Sequence, residues 1–230
     1  MAADKLLLLL AARGGASRDE LTALLRDVAA ELSPRLPAAG RSLRGFVRRA
    51  DDPFARGGPP MRGFDATLEL RAAGGAAAFA EAVRGLGERI AGRAFADLSA
   101  AIAGADRAIV PPPGETPIRY QYVMRRRRDL THAQYLDHYL RVHAEIGRHT
   151  PGIAGYVQLH AEPEASREVA RAAGFGLWDA ASVSELHLAS LEAFLGAIAT
   201  WEGGKQAIAD EENFIDRRNS VMFTSDAVPL

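Results

Sequence analysis

The segment AQYLDHYLRVHAEI, from Ala133 to Ile146, carries two tyrosines and two histidines within about three helical turns. Imidazole titrates near neutral pH, so a histidine in a partly apolar pocket can take a proton from carbon or from a hydroxyl group. A neighbouring phenol can donate a hydrogen bond to a carbonyl or enolate oxygen as negative charge develops there. These residue types therefore indicate acid–base chemistry on a small molecule.

Helical periodicity places His143 on the apolar face of this segment. At about 100° per residue, Tyr135, Tyr139 and His143 fall within one apolar arc of roughly 140°. Asp137 falls on the opposite side, and His138 lies at the flank of the arc. We therefore expect His143 to point beneath the helix, toward the sheet.

The elements that must position this helix occur twice in the same order. Each half of the chain reads as strand, helix, strand, strand, helix, strand. Short matches recur in register: GFV at 45–47 with GYV at 155–157, and FDA at 64–66 with WDA at 178–180. This order is the ferredoxin-like β-α-β-β-α-β split. We predict an α+β chain of two such units, 1–112 and 113–230, packed sheet to sheet as a barrel within one chain.

The expected boundaries follow from alternation, caps and turn residues. The strands are expected at 5–12, 43–49, 64–71, 107–110, 119–126, 182–188 and 220–224. One more strand is expected within TPGIAGYVQLH at 150–160, which begins as a turn. The helices are expected from Ser17, at 76–90, from Thr131, at 191–200 and at 206–216. The segment 94–102 is expected to form a short helical turn, and 51–60 and 161–174 to form loops.

The first unit serves as an internal control for the histidine helix. Alignment of the two helix starts sets three pairs opposite one another: Leu21 with Tyr135, Leu25 with Tyr139, and Ala29 with His143. Aliphatic side chains suffice for packing at these positions, so the phenols and the imidazole indicate another role. The alternative is a core histidine satisfied by a backbone carbonyl, with tyrosines that reach the surface through their hydroxyls.

Two strands of the second half add polar side chains. Tyr156 and His160 share one face of their strand because side chains alternate, and Glu185 and His187 share a face of theirs. Trp178 precedes the second of these strands. The alternation does not say which face of either strand meets the helix.

Composition bounds the class of protein. The net charge is −1 over 230 residues, which favours neither nucleic acid nor an anionic membrane as partner. There is no cysteine, so disulfides, thiolate nucleophiles and cysteine-ligated metals are excluded. The apolar run near the start is too short for a membrane span and lacks a signal-peptide layout, so we expect a cytoplasmic protein. No phosphate-binding glycine loop or metal-ligand spacing is present, and we predict no cofactor and no metal.

Three segments together resemble the EthD family of the dimeric α/β-barrel superfamily. LTHAQYLDHYLRVHAEIGRHTPGIAGYVQLH at 130–160 is similar to the family's aromatic and histidine helix and the strand after it. WDAASVSELHLASLEAF at 178–194 fits the next strand and helix, and ADEENFID at 209–216 fits an Asp-x-x-x-Phe segment. The resemblance covers about 119–224, and the first half would be a diverged copy.

The resemblance implies a small-molecule pocket between sheet and helices. Relatives include cofactor-free cyclases, dehydratases and monooxygenases that act on polyketides and other aromatic or phenolic compounds. The catalytic candidate is His143 as general base, with Tyr139 beside it as hydrogen-bond donor and His187 as the next candidate. Tyr139 and His187 both depart from the residues usual in the family, so the substrate is not inferred from it.

The leading hypothesis is a cofactor-independent cyclase, dehydratase or isomerase for an aromatic or polyketide-like small molecule. Flat walls for such a molecule would come from Tyr135, Tyr156 and Trp178, and polar contacts from His160 and Glu185. Three alternatives stay open: a cofactor-independent monooxygenase on a phenol, a non-catalytic ligand-binding protein, and a haem protein with a histidine ligand. Because the barrel is complete within one chain, dimerisation is not required to bury the sheets.

Overall fold

The computed structural model describes residues 4–54 and 63–230. Its strands form a closed barrel in the order β1-β3-β2-β8-β5-β7-β6-β4, with antiparallel pairing throughout. The strands are β1 (Lys5–Leu10), β2 (Ser42–Arg48), β3 (Ala66–Arg71), β4 (Ala100–Val110), β5 (Ile118–Met124), β6 (Gly155–Ala161), β7 (Ser182–Leu188) and β8 (Val221–Val228).

Helices cover the outside of the barrel. They are α1 (Arg18–Leu32), α2 (Gly75–Val83), α3 (Leu86–Ile90), α4 (His132–His138), α5 (Ala144–Gly147), α6 (Pro163–Ala173), α7 (Leu191–Ala199) and α8 (Glu202–Phe214). A π-helical turn, Tyr139–His143, joins α4 to α5. Among the described residues, no helix combines the length and apolar character that crossing a membrane requires.

The two halves of the chain join along both sheet edges. On one side β2 pairs with β8, where Val47 is opposite Asp226, and on the other β4 pairs with β6, where Ala105 is opposite His160. Closure pairs the strand edges that each half alone would leave exposed. The prediction of two ferredoxin-like units forming an α/β barrel within one chain is confirmed. The division at residues 112 and 113 falls between β4 and β5, and as a domain boundary it stays a prediction.

The leucine run of β1 is buried on both faces. Leu6, Leu8 and Leu10 pack against the helices, whereas Leu7 and Leu9 belong to the cluster inside the barrel. A strand with helices on one side and a filled barrel on the other needs apolar residues at every position, which accounts for the continuous run.

Three local predictions are wrong. The segment 161–174 forms α6, whose Val169 and Ala170 are buried against the first unit, and it ends at Gly174 in the left-handed conformation. The predicted β-α-β-β-α-β order has no helix at this point, between the second and third strands of the unit. The strand β4 starts at Ala100, inside the segment predicted as a helical turn. The helix predicted at 76–90 is two helices, because Gly85 has φ +67° between them. The predicted loop 51–60 lies outside the described residues from residue 55 onward.

The barrel interior contains a buried ionic cluster formed by both units. Lys5 contacts Glu69 at 3.1 Å and also contacts Glu185, while Arg119 contacts Glu185 at 2.9 Å and Glu69 at 3.4 Å. All four side chains are at most 3% exposed. Burial opposes ionisation of Glu69, but Lys5 and Arg119 outweigh it and hold its pKa below the ordinary value. Removing one member would leave a buried charge without its partner, which is strongly destabilising.

Candidate functional site

A cavity of about 1200 Å³ lies between the sheet and the helices of the second unit. The outer faces of β5, β7 and β8 form its floor, and α7 and α8 form much of its wall. Arg48 and Phe54 of the first unit contribute to its rim. The volume exceeds the roughly 300–1,000 Å³ that small-molecule sites usually offer, so the cavity has room for a drug-sized ligand. The residues with functional groups on its lining include Tyr122, His143, Tyr156, Ser184, Glu211 and Arg217.

The helix that carries His143 begins as the sequence predicts. Thr131 is the N-cap, and its side chain and that of Gln134 form a reciprocal capping box. The helix then departs from α-helical geometry in the π turn at Tyr139–His143, where the backbone N–H of Ala144 donates to the carbonyl of Tyr139. The side-chain amide of Gln158 on β6 donates to the same carbonyl at 3.1 Å. The sheet therefore supports this irregular turn directly.

The π turn aligns two histidines on one carboxylate. Residues five apart come into register when i→i+5 hydrogen bonds replace i→i+4 bonds. His138 and His143 accordingly both reach Asp210 on α8. The distance from His138 Nε2 to Asp210 Oδ1 is 2.8 Å, and that from His143 Nδ1 to Asp210 Oδ2 is 2.9 Å. Asp210 is buried, so the carboxylate fixes both rings.

His143 lies on the cavity wall with one ring nitrogen engaged. Its side chain is 12% exposed, and its ring packs against Phe214 with centroids 5.1 Å apart. Burial lowers the pKa of His143, and the bond to Asp210 offsets part of that shift. The neutral ring with its proton on Nδ1 fits this bond and leaves Nε2 for a ligand. The prediction that His143 points under its helix toward the sheet is wrong in detail, because the ring turns toward α8.

Tyr135 and Tyr139 are fully buried behind this cavity and do not line it. The hydroxyl of Tyr135 bonds Ser182 at 2.6 Å. The hydroxyl of Tyr139 has no direct partner within the described residues and lies near the hydroxyls of Tyr156 and Ser184. Burial raises the pKa of both phenols. This position contradicts a direct donor role for Tyr139 and a wall role for Tyr135.

Tyr156 and His160 lie on the helix-facing side of β6, but only Tyr156 lines the cavity. Gln158 links them, since its amide donates to the Tyr156 hydroxyl at 2.9 Å and its carbonyl oxygen is 2.9 Å from His160 Nε2. Burial, followed by the charge of Arg107, lowers the pKa of His160 to about 4. His160 therefore belongs to the hydrogen-bonded wall behind the cavity.

Glu185, His187 and Trp178 lie on the other side of the sheet, within the barrel. Ser184 and Leu186 of β7 line the cavity, so the alternate residues Glu185 and His187 point inward. Burial and then Arg119 lower the pKa of His187 to about 4, and its Nδ1 is 3.3 Å from the Thr116 hydroxyl.

Trp178 packs edge-on against Phe64 inside the barrel, with ring centroids 5.3 Å apart. The three predictions that placed Glu185, His187 and Trp178 with His143 are wrong in location. Alternation predicts which residues share a face but not which face holds the ligand.

Sequence reasoning missed Asp210, Glu211 and Tyr122 as site residues. Asp210 begins the Asp-x-x-x-Phe segment already noted, and its spacing to Phe214 puts both on one face of α8. Glu211 lines the cavity and pairs with Arg217, with Oε2 and Nε 3.0 Å apart. Burial raises the pKa of Glu211 to about 7. The only sequence signal for Tyr122 was its place on a predicted strand, and side-chain alternation does not say which face of that strand meets the cavity.

The described part of the chain lacks the ligand arrangements that metal ions require. No group of three histidine, aspartate or glutamate side chains there is arranged to hold a metal ion. The two imidazoles on Asp210 have their carboxylate-facing nitrogens occupied by hydrogen bonds.

Comparison with known proteins confirms the sequence resemblance in the second half. The EthD domain family model matches residues 127–218. No curated protein matches the sequence.

Solved structures share the whole fold. An anthrone oxidase-like protein aligns over 100% of this chain and 92% of its own, with TM-score 0.62 and 13% identity. A candidate monooxygenase from Fusobacterium nucleatum aligns over 100% and 94%, with TM-score 0.54 and 9% identity. A chlorite dismutase variant from Candidatus Nitrospira defluvii aligns over 100% and 93%, with TM-score 0.54 and 9% identity. At these identities the likeness establishes the fold alone.

Proposed function

We propose that this chain, which carries an EthD domain match at residues 127–218, is an enzyme that transfers protons on a planar aromatic or polyketide-like molecule. The reaction is a cyclisation, dehydration or isomerisation that uses no cofactor. The observation that carries the proposal is the position of His143, held by Asp210 on the wall of a ligand-sized cavity. A positioned base beside a bound substrate is the minimum that such reactions need.

The dyad supports the role of His143 as general base. Asp210 accepts a hydrogen bond from Nδ1, which orients the ring and selects the tautomer with a lone pair on Nε2. When Nε2 takes a proton from the substrate, the carboxylate stabilises the imidazolium that forms. The lowered pKa of His143 keeps the ring neutral, and therefore competent as a base, at neutral pH.

In this proposal Tyr122 is the hydrogen-bond donor, in place of Tyr139, to which the sequence assigned that role. Tyr122 lines the cavity, whereas Tyr139 is buried behind it. Burial raises the pKa of Tyr122, so its hydroxyl stays protonated and able to donate to a developing oxyanion.

A second candidate is a cofactor-independent monooxygenase for a phenolic substrate. The names of the anthrone oxidase-like and candidate monooxygenase structures favour it, as does the same base in the same cavity. In that reaction His143 removes a phenolic proton and the resulting carbanion reacts with dioxygen. A non-catalytic ligand-binding protein is the third candidate, and it predicts binding without turnover.

A substrate screen separates these candidates. The protein is incubated with polycyclic phenols and enolisable aryl ketones in deuterated water, with C–H exchange followed by NMR and oxygen consumption by an electrode. Exchange or cyclised product without oxygen uptake supports proton transfer, and oxygen uptake supports the monooxygenase. Binding without either supports the third candidate, and a Soret band in the purified protein would overturn cofactor independence.

Two variants test the dyad on any substrate found. His143→Gln should lower turnover by roughly 10²–10⁴-fold with an unchanged melting temperature. The matched control is His149→Gln, which changes an exposed histidine just beyond α5 and should retain activity. Asp210→Asn removes the carboxylate that raises the pKa of His143, so the acid limb of the rate profile should move to lower pH. Normal turnover in folded His143→Gln would end the proposal.

A further inference from the structure

We propose that Tyr122, Glu211 and Arg217 form a subsite that binds a phenolic hydroxyl or enolic oxygen of the ligand. The three groups come from β5, α8 and the 3₁₀ turn Arg217–Asn219, and all three line the cavity. The inference deepens the proposed function because it names the chemical group that the same cavity recognises.

The hydroxyl of Tyr122 is the first observation that points to a ligand. The residue is 4% exposed and lies between Ser184 of β7 and Met222 of β8 in the sheet register. Within the described residues its hydroxyl oxygen is buried and has no acceptor for its proton, and the Arg217 side chain lies close enough to offset part of the rise in its pKa. Leaving such a group without a partner costs about 1–3 kcal/mol, so it is ordinarily satisfied. A ligand oxygen in the cavity can accept from it.

The Glu211–Arg217 pair is the second observation. The pair lies at 3.0 Å through Oε2 and Nε, and the Glu211 side chain is only 14% exposed. Neighbouring Asp210 is committed to the two histidines, so adjacent carboxylates serve different partners. Three glutamates line the cavity, Glu202, Glu211 and Glu212, and Glu211 is the one of them that is not exposed.

The charge state of Glu211 suits a hydroxyl ligand. Burial raises its pKa to about 7, Arg217 lowers it, and Asp210 raises it further. The phenols near enough to interact with Glu211 electrostatically all stay neutral because burial raises their own pKa values: Tyr120, Tyr122, Tyr135 and Tyr156. Above neutral pH, Glu211 is therefore a carboxylate that can accept a hydrogen bond from a ligand hydroxyl group.

These complementary groups select a hydroxyl over other oxygen groups. A phenol or enol both donates and accepts, so it can donate to Glu211 and accept from Tyr122 at once. An ether accepts but does not donate. A ligand carboxylate would meet the Glu211 carboxylate in a low-dielectric cavity, where like charges repel. The subsite therefore favours the neutral hydroxyl.

Four matched probes test the subsite: 1-naphthol, 1-methoxynaphthalene, naphthalene and 1-naphthoate, measured by equilibrium dialysis with fluorescence detection. The full chain should bind 1-naphthol most tightly. Tyr122→Phe should weaken 1-naphthol roughly two- to tenfold, the effect of one hydrogen bond, and change naphthalene by less than about twofold. Glu211→Gln should weaken 1-naphthol and remove the gain in its affinity between about pH 6 and about pH 8.

Tyr120→Phe on the same strand is the control, since its hydroxyl is directed at Met222 Sδ, 3.6 Å away. It should keep the wild-type preference. Equal binding of 1-naphthol and naphthalene by the wild-type chain, no binding of any probe, or tighter binding of 1-naphthoate would each overturn the assignment. His143→Gln should retain the preference for 1-naphthol, so failure of the base and failure of the subsite give different results.

Discussion

The space between sheet and helices is filled in the first unit and open in the second. In the first unit the α1 residues that align with Tyr135, Tyr139 and His143 are buried in one continuous apolar cluster with Leu6, Leu8 and Leu10 of β1. In the second unit the equivalent tyrosines are just as buried, yet a cavity of about 1200 Å³ lies beside them. Exchange of aliphatic residues for tyrosines therefore did not by itself open the cavity.

The difference arises where α8 meets the sheet. Only Asp210 and Phe214 of this helix are buried, and both lie in its C-terminal part. Other residues of α8, including Gly204, Ala207 and Glu211, line the cavity. The tyrosines, with Gln158 and Ser182, form a hydrogen-bonded wall that supports the π turn. The buried tyrosines thus support the turn that carries His143, and the cavity lies where α8 is separated from the sheet.

The largest expected effect is loss of packing in the filled unit. Leu25→Ala should lower the free energy of unfolding by about 2–5 kcal/mol, because Leu25 is fully buried and its truncation leaves a cavity. Leu140→Ala in the second unit is the control, since Leu140 is 38% exposed and should change stability by about 0.5 kcal/mol or less. Urea denaturation measures both. Equal losses would contradict the contrast between the units.

A pair of enlarging substitutions tests the open space directly. Ala29→Leu in α1 should destabilise by about 1–3 kcal/mol, because Ala29 is 6% exposed in a filled layer. Ala207→Leu in α8 extends into the cavity and should cost no more than about 0.5 kcal/mol. Melting temperatures provide the comparison. If Ala207→Leu proved the more damaging change, the cavity would be narrower in solution than in the structure.

Acid should loosen the second unit before the first. All six histidines lie between His132 and His187, and burial lowers the pKa of four of them, to about 4 for His160 and His187. At these four sites the unfolded chain, with histidine pKa values near about 6.5, binds more protons than the folded chain, whereas Glu211, with a folded pKa of about 7, acts in the opposite direction as one group against four. The stability that the histidines contribute is therefore full above about pH 6.5 and falls as the pH drops toward about 4.

Hydrogen exchange, corrected for intrinsic rates, locates this acid response. Between about pH 7.5 and about pH 5, protection should fall more at 118–188 than at 5–110. His187→Gln should reduce the pH dependence, whereas exposed His149→Gln should leave it unchanged. Equal loss of protection in both halves would show that the histidines are not responsible.

The smallest expected effect distinguishes the two buried tyrosines. Tyr139→Phe removes a hydroxyl that makes no direct hydrogen bond within the described residues, so stability and turnover should change little. Tyr135→Phe breaks the bond to Ser182 and should cost about 1 kcal/mol. Thermal unfolding and a turnover assay check the pair. A large rate loss in Tyr139→Phe with retained binding would restore the donor role predicted for Tyr139.

Much of the fold could be predicted because its signals are local. The helices predicted from Ser17 and Thr131 have these residues as their N-caps, and β7 spans the predicted residues 182–188. Helix α6 also carries local signals, since Pro163 stands in its first turn, Gly174 ends it and its buried residues share one face. It was missed because the predicted β-α-β-β-α-β order has no helix between its second and third strands.

The sequence by itself determined the residue types of the site, the α+β class of the fold and the helix that carries His143. It also determined that Glu185 and His187 share one face of β7 and Ser184 the other, because side chains alternate. Only the tertiary structure decided that the cavity lies on the Ser184 side and that His138 and His143 share Asp210. The physical reason is that a π turn and a contact across 67 residues depend on how α8 packs, which no local period encodes.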